Sequence, residues 1–471
     1  MKKASSLVLL LVFGISLCAG ANSPATLIRN VTIVDVQTGT LRPGMDVAIS
    51  GGRIQKMGKR LKLRSSAEEI DAAGKYLIPG LWDMHVHIFN NVDAPGTDNR
   101  ERYFPLFIAN GVTGVRDTFT DGDDIKLLRS WAAEIDSGKM IGPRVIAGSS
   151  IIDGVPVLRQ NSIGVSTELE ARNAVRFSKA SGSEFIKVYE NLSRETFYAI
   201  ADESKKLGLP FIGHVPYTIT PQEASNAGQK SIEHLTRMTI ACSSDEDKFK
   251  DIKNEEWTPE LRKQLFDSFS EQKCSQVADL FVKNQSWHDP TMVEAVGRLL
   301  GDDEKLAADD RLRYVSKAES DGWLKFSKRF SPANRKMRES NFARWLEILK
   351  ILNRSGVEIL AGTDVGGPYI YAGFSLHDEL EWFVRAGFTP LEALQASTVN
   401  PAKFLGKSKS LGTIETGKIA DLVILDANPL ADIGNTKKIN AVVANGRYFD
   451  RAKLDNMLGN AEKLARQDTG K

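Results

Sequence analysis

Histidine and cysteine are scarce in this chain, which has six histidines and three cysteines among 471 residues. The chain also has little net charge, because 62 lysine and arginine residues nearly balance 60 aspartate and glutamate residues. That balance argues against nucleic acid or an anionic membrane surface as a partner. The apolar content of 42% is that of an ordinary globular protein, and the length predicts one large domain with a smaller one.

The N-terminus predicts an export signal. Two lysines precede an apolar run over residues 7–17, and the small residues 19–21 form a cleavage site. The run is too short to span a bilayer. We therefore expect residues 1–21 to be removed and the mature chain, without a transmembrane anchor, to be exported to a bacterial periplasm or secreted. Cys18 leaves a lipoprotein as the less favoured alternative, because Leu17 occupies a position where a small residue is wanted.

Removal of the signal leaves two cysteines, Cys242 and Cys274. Oxidising compartments permit disulfides, so the two are predicted to form one bridge. Two unpaired buried thiols are the alternative.

The two ends of the chain share a sequence pattern that is typical of strands and turns. Apolar and polar residues alternate between glycines in residues 22–78, and the same pattern returns in residues 407–450. We expect these segments to pair as one discontinuous β-sandwich domain that flanks a central domain of residues 79–406.

The central domain alternates predicted strands with helical patterns, which indicates a closed (β/α)8 TIM barrel of the α/β class. The predicted strands lie near residues 77–87, 112–117, 144–149, 185–189, 211–215, 231–235, 287–292 and 357–364. Residues 243–353 are too many for ordinary connections. They predict a helical insert with one strand inside it, in the form of two helical excursions over the barrel mouth.

Polar side chains recur at or near the ends of these predicted strands. They are His85, His87, Lys187, His214, His234 and Asp364. Barrels of this kind carry their chemistry at the carboxyl ends of the strands, so all six should meet at one mouth. His85 and His87 are two residues apart on one strand and face the same side.

Each of these residues also has a structural interpretation. Lys187 could be a core lysine paired with an acid such as Glu190 or Asp117, and a lone histidine in a strand is more often a core residue than a ligand. Asp364 could simply shape a turn. The functional interpretation is that Lys187 reacts with carbon dioxide to form a carbamate, whose two oxygens can bridge two cations. The convergence of all six favours a metal site over six separate structural roles.

The same residues resemble those of the amidohydrolase superfamily, in its binuclear branch with imidazolonepropionase-like proteins and Xaa-Pro or Xaa-Arg/Lys dipeptidases. The matching stretches are residues 70–71, the run LIPGLWDMHVH at 77–87, the surroundings of the other four site residues, and residues 389–394, 400–402 and 417–422. The resemblance covers nearly the whole mature chain and is least diagnostic over residues 243–343.

The resemblance implies a role for each site residue. His85 and His87 would hold the more buried metal, and Asp364 would complete that site. His214 and His234 would hold the more exposed metal, and carboxylated Lys187 would bridge the two. Imidazoles and carboxylates suit two divalent ions, zinc first among them. Asp364 would also be the catalytic proton shuttle.

The predicted activity is hydrolysis of an amide C–N bond in a small substrate, such as a dipeptide or N-acyl amino acid, through a metal-bridging hydroxide. The net positive field of two cations favours a substrate that bears a carboxylate. Tyr189 and Tyr217 are candidate substrate contacts, with packing as the alternative for each. His288 and His377 lack a ligand context and are expected to be structural or peripheral.

Three rival functions stay open. A mononuclear deaminase or cyclic-amide hydrolase would use the same barrel, but such relatives generally carry an H-x-x-E motif, and Tyr217 stands where the glutamate would be. A lactone or phosphoester hydrolase would use the same metals. A non-catalytic periplasmic binding protein would need a decayed site, whereas all six side chains are present. Oligomerisation stays open as well.

Overall fold

The computed structural model describes residues 25–62, 67–91, 94–95, 99–122, 124–252, 256–300, 306, 308–328 and 335–467. The predicted export signal and Cys18 lie outside these ranges. None of the helices within them has both the length and the apolar character needed to cross a membrane.

The strands of the described residues form two large sheets and one short hairpin. They are β1 (Ala25–Val34), β2 (Leu41–Ser50), β3 (Arg53–Gly58), β4 (Ala67–Asp71), β5 (Tyr76–Pro79), β6 (Leu81–Val86), β7 (Asn90–Asn91), β8 (Ala94–Pro95), β9 (Val112–Asp117), β10 (Arg144–Gly154), β11 (Ile163–Val165), β12 (Phe185–Val188), β13 (Phe211–Gly213), β14 (Ser231–Glu233), β15 (Trp287–Asp289), β16 (Leu422–Leu425), β17 (Ile439–Ala444) and β18 (Arg447–Phe449).

The α-helices alternate with the strands of the central domain, and one more closes the chain. They are α1 (Arg100–Ala109), α2 (Asp124–Asp136), α3 (Glu168–Ser181), α4 (Arg194–Leu207), α5 (Pro221–Asn226), α6 (Met238–Ala241), α7 (Glu246–Phe249), α8 (Pro259–Asp267), α9 (Glu271–Asn284), α10 (Met292–Leu300), α11 (Lys317–Ser327), α12 (Arg335–Arg354), α13 (Phe374–Arg385), α14 (Pro390–Ala396), α15 (Val399–Phe404) and α16 (Arg451–Gln467). Short 3₁₀ helices cover Asp310–Tyr314 and Ile433–Lys437.

Seven parallel strands and one irregular segment form the barrel. The strands follow the order β6, β9, β10, β12, β13, β14 and β15. The eighth segment, residues 357–364, closes the ring between β15 and β6, because Leu360 N donates to His288 O (2.8 Å) and Met84 N donates to Ala361 O (2.9 Å). The predicted (β/α)8 barrel is confirmed.

Close backbone approach explains why the eighth segment is irregular. A Cβ at Gly362 would lie 2.5 Å from both carboxylate oxygens of Asp289 and 2.6 Å from the Cβ of His85. Only glycine fits there, and two residues later Asp364 takes a left-handed conformation with φ 63°. Residues 357–364 therefore depart from regular strand geometry where they approach the barrel interior.

The flanking β domain is built from both chain ends, as the sequence predicts. Its strands follow the order β18, β17, β16, β5, β1, β2 and β3, with β4 beside β1. The two ends of the chain meet where β16 pairs with β5 in an antiparallel register, Leu422 opposite Pro79. The sheet has an apolar core of its own with residues from both ends, for example Ile28, Val47 and Val443.

The single strand predicted near residues 77–87 is wrong, because the structure divides it between the two domains. β5 belongs to the flanking sheet and β6 to the barrel. The break falls at Gly80, where a Cβ would lie 2.1 Å from the hydroxyl oxygen of Thr113. The chain can therefore pass from one domain into the other only through a residue without a side chain.

Residues 243–353 are mainly helical, with β15 in the middle. Helices α9 and α12 directly precede β15 and the eighth segment, so they are the regular helices of the barrel. The excursions proper are α7 with α8, and α10 with α11. Helix α16, which packs against α1, was not predicted from the sequence.

A disulfide joins Cys242 and Cys274, two residues 32 positions apart. Both cysteines are fully buried. The bridge fastens the segment after α6 to helix α9.

Candidate metal centre

All six predicted site residues lie at the carboxyl ends of barrel strands. His85 is the penultimate residue of β6 and Lys187 lies in β12, while His214 and His234 directly follow β13 and β14. His87 comes just after β6, and Asp364 ends the eighth segment. Because parallel strands of a barrel end at one face, these positions converge.

Distances show how closely the side chains converge. His87 Nε2 lies 2.7 Å and His85 Nε2 3.3 Å from Asp364 Oδ1. One ligand atom each of His85, His234 and Asp364 lie within 4.8 Å of one another. The ring of His234 is also 4.7 Å from that of His214, centroid to centroid. Four histidines and one aspartate thus form one continuous cluster.

Several buried nitrogen atoms in and beside this cluster make no hydrogen bond of acceptable geometry among the described residues. They are His85 Nε2, His87 Nδ1 and Lys187 Nζ. Buried polar groups are normally paired, so an unpaired set of nitrogen atoms needs an explanation. A divalent cation would supply one, since imidazole and carboxylate groups are its usual ligands. The residues present therefore fit a metal site.

Three of the four histidines have their Nδ1 atoms engaged away from the cluster. His85 Nδ1 lies 2.7 Å from Glu233 Oε2, and His214 Nδ1 lies 2.7 Å from Glu190 Oε1. His234 Nδ1 lies 2.7 Å from the hydroxyl oxygen of Thr291. Such contacts fix the ring orientation and leave Nε2 for a metal, the arrangement that metal-binding histidines usually have.

Burial sets the charge state of the cluster. Desolvation lowers the pKa of His85 to about 3, with the nearby positive charge of Lys187 acting in the same direction. Desolvation also lowers the pKa of Lys187 to about 8. Neutral imidazole is the form that binds metals.

A buried ion network lies beneath the cluster. The fully buried Arg116 guanidinium donates to Glu233 Oε2 (2.9 Å), to Asp289 Oδ2 (3.1 Å) and to the carbonyl oxygen of Met84. Burial raises the pKa of Glu233, but Arg116 and His85 bring it below its usual range. Because Glu233 also holds His85, Arg116 positions a cluster residue indirectly.

Sequence reasoning missed this network. The available signal was the presence of charged residues inside short buried strands: Arg116 in β9, Glu233 in β14 and Asp289 in β15. A charged group in such a strand requires a buried partner of opposite sign. Asp83 gave the same signal in β6, and its carboxylate accepts hydrogen bonds from the Thr363 amide (3.0 Å) and hydroxyl (2.6 Å), next to Asp364.

The structural interpretation of Lys187 is wrong. Glu190 hydrogen-bonds to His214 and to the hydroxyl of Tyr217. Asp117 accepts from the amide of Ile88 (2.7 Å) and neighbouring groups. Neither carboxylate pairs with Lys187 in the described structure.

The two candidate tyrosines lie on the His214 side of the cluster. The Tyr189 ring centroid is 4.1 Å from that of His214, and its hydroxyl accepts a hydrogen bond from Arg159 Nε (3.0 Å). The Tyr217 hydroxyl donates to Glu190, whose other carboxylate oxygen contacts His214. Sequence reasoning did not single out Arg159, and it considered Glu190 only as a possible partner of Lys187.

The remaining two histidines lie outside the cluster of ligand atoms. His377 hydrogen-bonds to the hydroxyl of Thr436 and to the carbonyl of Asn110, 3.0 Å in each case. His288 is buried in β15 and its ring contacts Phe281.

Comparisons with known proteins show that the chain is similar in sequence and fold to amidohydrolases. A sequence model of the amidohydrolase family matches residues 334–448. Adenine deaminase 2 of Agrobacterium fabrum is 39% identical over 89 residues, which are 19% of this chain and 14% of that protein. The aligned part therefore spans only a small share of that relative's length.

Solved structures cover far more of the chain. A Xaa-Pro dipeptidase with bound methionine in its active site is 22% identical to this chain and has a TM-score of 0.65. The match covers 90% of this chain and 100% of the dipeptidase chain. A bottromycin amidohydrolase is 20% identical and has a TM-score of 0.72 over 94% of this chain and 90% of its own. The family match and the shared fold together confirm the predicted resemblance of this chain to the amidohydrolases.

Proposed function

We propose that this chain is a metal-dependent hydrolase that cleaves the amide C–N bond of a small substrate. The observation that carries the proposal is the cluster of four histidines and Asp364 beside Lys187, with buried nitrogen atoms that have no partner in the described structure. The family match and the amidohydrolase-like fold support the same reaction class.

In this proposal the site holds two divalent ions, zinc first among them. His85, His87 and Asp364 would hold one, and His214 and His234 the other. When bound, such ions polarise a carbonyl group and make water a stronger nucleophile at neutral pH. A carbamate on Lys187 would bridge them. The buried amine of Lys187, which makes no hydrogen bond to the described residues, is available for this role.

Asp364 is proposed as the proton carrier. Burial raises its pKa, but His87 and the other nearby histidines hold that pKa well below its usual range, so the carboxylate is ionised and can accept a proton. It would take one from the attacking water and deliver it to the leaving nitrogen. Its left-handed backbone conformation turns the side chain toward His85 and His87.

The proposed substrates are dipeptides or N-acyl amino acids that carry a free carboxylate. One of the similar structures is a Xaa-Pro dipeptidase. The net positive field of two cations would favour an anionic substrate. Export of the mature chain from Asn22 onward belongs to the same proposal, and N-terminal sequencing of the secreted protein tests it.

Deamination is a second candidate, because the relative from Agrobacterium fabrum is an adenine deaminase. The two reactions differ in the product released. A deaminase liberates ammonia from a ring amine, whereas a dipeptidase liberates an amino acid.

The deciding experiment measures metal content and turnover together. Purified protein loaded with zinc should contain two metal ions per chain by elemental analysis. It should also release amino acids from a panel of dipeptides and N-acyl amino acids. The matched control is His214→Ala, which should reduce both the metal content and the turnover. Full activity with at most one metal ion would refute the binuclear centre. Turnover confined to ring amines, lactones or phosphotriesters would refute the substrate class.

A further inference from the structure

Arg159 contacts Tyr189 beside the metal centre and has no carboxylate partner among the described residues. It belongs to the loop between β10 and β11 and is half-buried. Its Nε atom donates to the hydroxyl of Tyr189 (3.0 Å). No carboxylate of the described residues lies within ion-pair distance of its guanidinium, whose two terminal nitrogens make no hydrogen bond within the described structure. A guanidinium has five N–H donors, and only the Nε donor is engaged here, so this one has unused binding capacity.

The loop that carries Arg159 is fastened beside Tyr189. The buried carboxylate of Asp153 accepts hydrogen bonds from the amides of Leu158 (3.0 Å) and Asn191 (2.7 Å). The side-chain amide of Asn191 in turn donates to the carbonyl of Pro156 (2.7 Å). These bonds tie the residue before Arg159 to the segment after Tyr189. The guanidinium is therefore held in place before any ligand arrives.

Tyr189 connects Arg159 to the metal centre. Its ring packs on His214, and with Phe119 and Ile151 it forms a small apolar cluster. Phe119 also contacts the ring of His87 edge-on, at 6.4 Å between centroids. The wall beside the histidines is thus apolar, and the guanidinium lies at the phenolic end of Tyr189.

We propose that the guanidinium of Arg159 and the hydroxyl of Tyr189 together bind the free carboxylate of the substrate. The two terminal nitrogens of the Arg159 guanidinium form a planar fork that matches the two oxygens of a carboxylate. Tyr189 Oη already accepts from Arg159, so its own proton is available for a second carboxylate contact. This inference rests on the proposed function. It names the residues that bind the carboxylate end of the substrate, whereas the metal centre acts on the amide.

The arrangement also orders the substrate. A carboxylate at Arg159 places the adjacent amide along the apolar wall, with its carbonyl toward the histidines. An amide inside a long peptide has no free carboxylate nearby and gains nothing from Arg159. The subsite therefore selects carboxy-terminal amide bonds and N-acyl amino acids.

The test compares two substrates that differ only at this end. N-acyl amino acids and their carboxamides are assayed with the zinc-loaded wild-type protein and with Arg159→Met. The wild type should prefer the carboxylate, and Arg159→Met should lose about 10- to 100-fold of that preference in kcat/KM, as expected for a lost charge-assisted hydrogen-bond pair. The loss should be mainly in KM. Tyr189→Phe should weaken the preference by a smaller factor.

Arg176→Met is the matched control. Arg176 lies on α3 and pairs with Glu203, so its removal should leave the preference unchanged. Equal losses in both variants would overturn the proposal in favour of a general charge effect. An unchanged preference in Arg159→Met would also overturn it. Absence of turnover on every amide refutes the proposed function instead. The subsite is then tested by calorimetric binding of a free amino acid, which should be detectable in the wild type and lost in Arg159→Met.

Discussion

Replacing Arg116 by methionine should destabilise the protein and loosen its metal centre together. Methionine keeps an unbranched side chain of similar length but removes the guanidinium. That group is fully buried and pairs with two carboxylates, Glu233 at 2.9 Å and Asp289 at 3.1 Å. After the change, both carboxylates stay buried in a barrel interior that offers no second cation at ion-pair distance within the described structure.

The magnitude follows from the burial of the network. Removing one partner of a buried ion pair typically lowers the free energy of unfolding by about 3–5 kcal/mol, because the remaining charge is left without compensation. Burial already raises the pKa of Asp289 well above its usual range, so Asp289 can take up a proton. We therefore count one uncompensated charge, on Glu233, and expect a loss of about 3–5 kcal/mol.

The metal centre should respond through His85. Glu233 Oε2 lies 2.7 Å from His85 Nδ1. Displacing a group that hydrogen-bonds to a metal-binding histidine typically lowers metal affinity by about 10- to 100-fold. Urea unfolding of the metal-free protein gives the stability term, and competition with a zinc chelator gives the affinity. A double variant, Arg116→Met with Glu233→Gln, should recover part of the lost stability because no charge is then stranded.

The control is Arg354→Met. Arg354 also pairs with a carboxylate, that of Glu271, but both side chains are exposed at the protein surface. Exposed pairs contribute little, so its unfolding midpoint should match that of the wild type. A stability loss in Arg116→Met no larger than in this control, with unchanged zinc affinity, would refute the reasoning.

Three further predictions concern the same chain. Replacing Cys242 and Cys274 by serine should lower the free energy of unfolding by about 3–4 kcal/mol, since the bridge closes a loop with a sequence separation of 32. Urea unfolding with and without reductant measures this, and two free thiols in the native wild type would contradict it. Lys187→Ala should abolish activity, and added formate or acetate should restore part of it. A crystal structure of active, metal-loaded wild type in which density ends at Nζ would exclude the carbamate. Thr291→Val should lower the affinity for the second metal about tenfold, because His234 loses its hydroxyl partner. Zinc titration measures this, and an unchanged affinity would contradict it.

Much of the fold was predictable because its signals are local. Short apolar runs separated by helical patterns predict parallel strands, and parallel strands with crossover helices close into a barrel. The alternating pattern at both ends similarly indicated a composite β domain. What could not be predicted is where a run breaks. The strand near residues 77–87 divides at Gly80 only because Thr113, far along the chain, occupies the space that a side chain would need.

The sequence by itself determined the ligand candidates, which lie at or near the end of recognisable strands: His85, His87, Lys187, His214, His234 and Asp364. Tertiary structure alone decided what surrounds them. Arg116 meets Glu233 across 117 positions of chain, and the loop of Arg159 is fastened to Tyr189 across 30. Such pairings depend on barrel closure and loop anchoring, which bring distant residues together by packing. No local pattern encodes them, so the residues that position the site and its substrate emerged only with the fold.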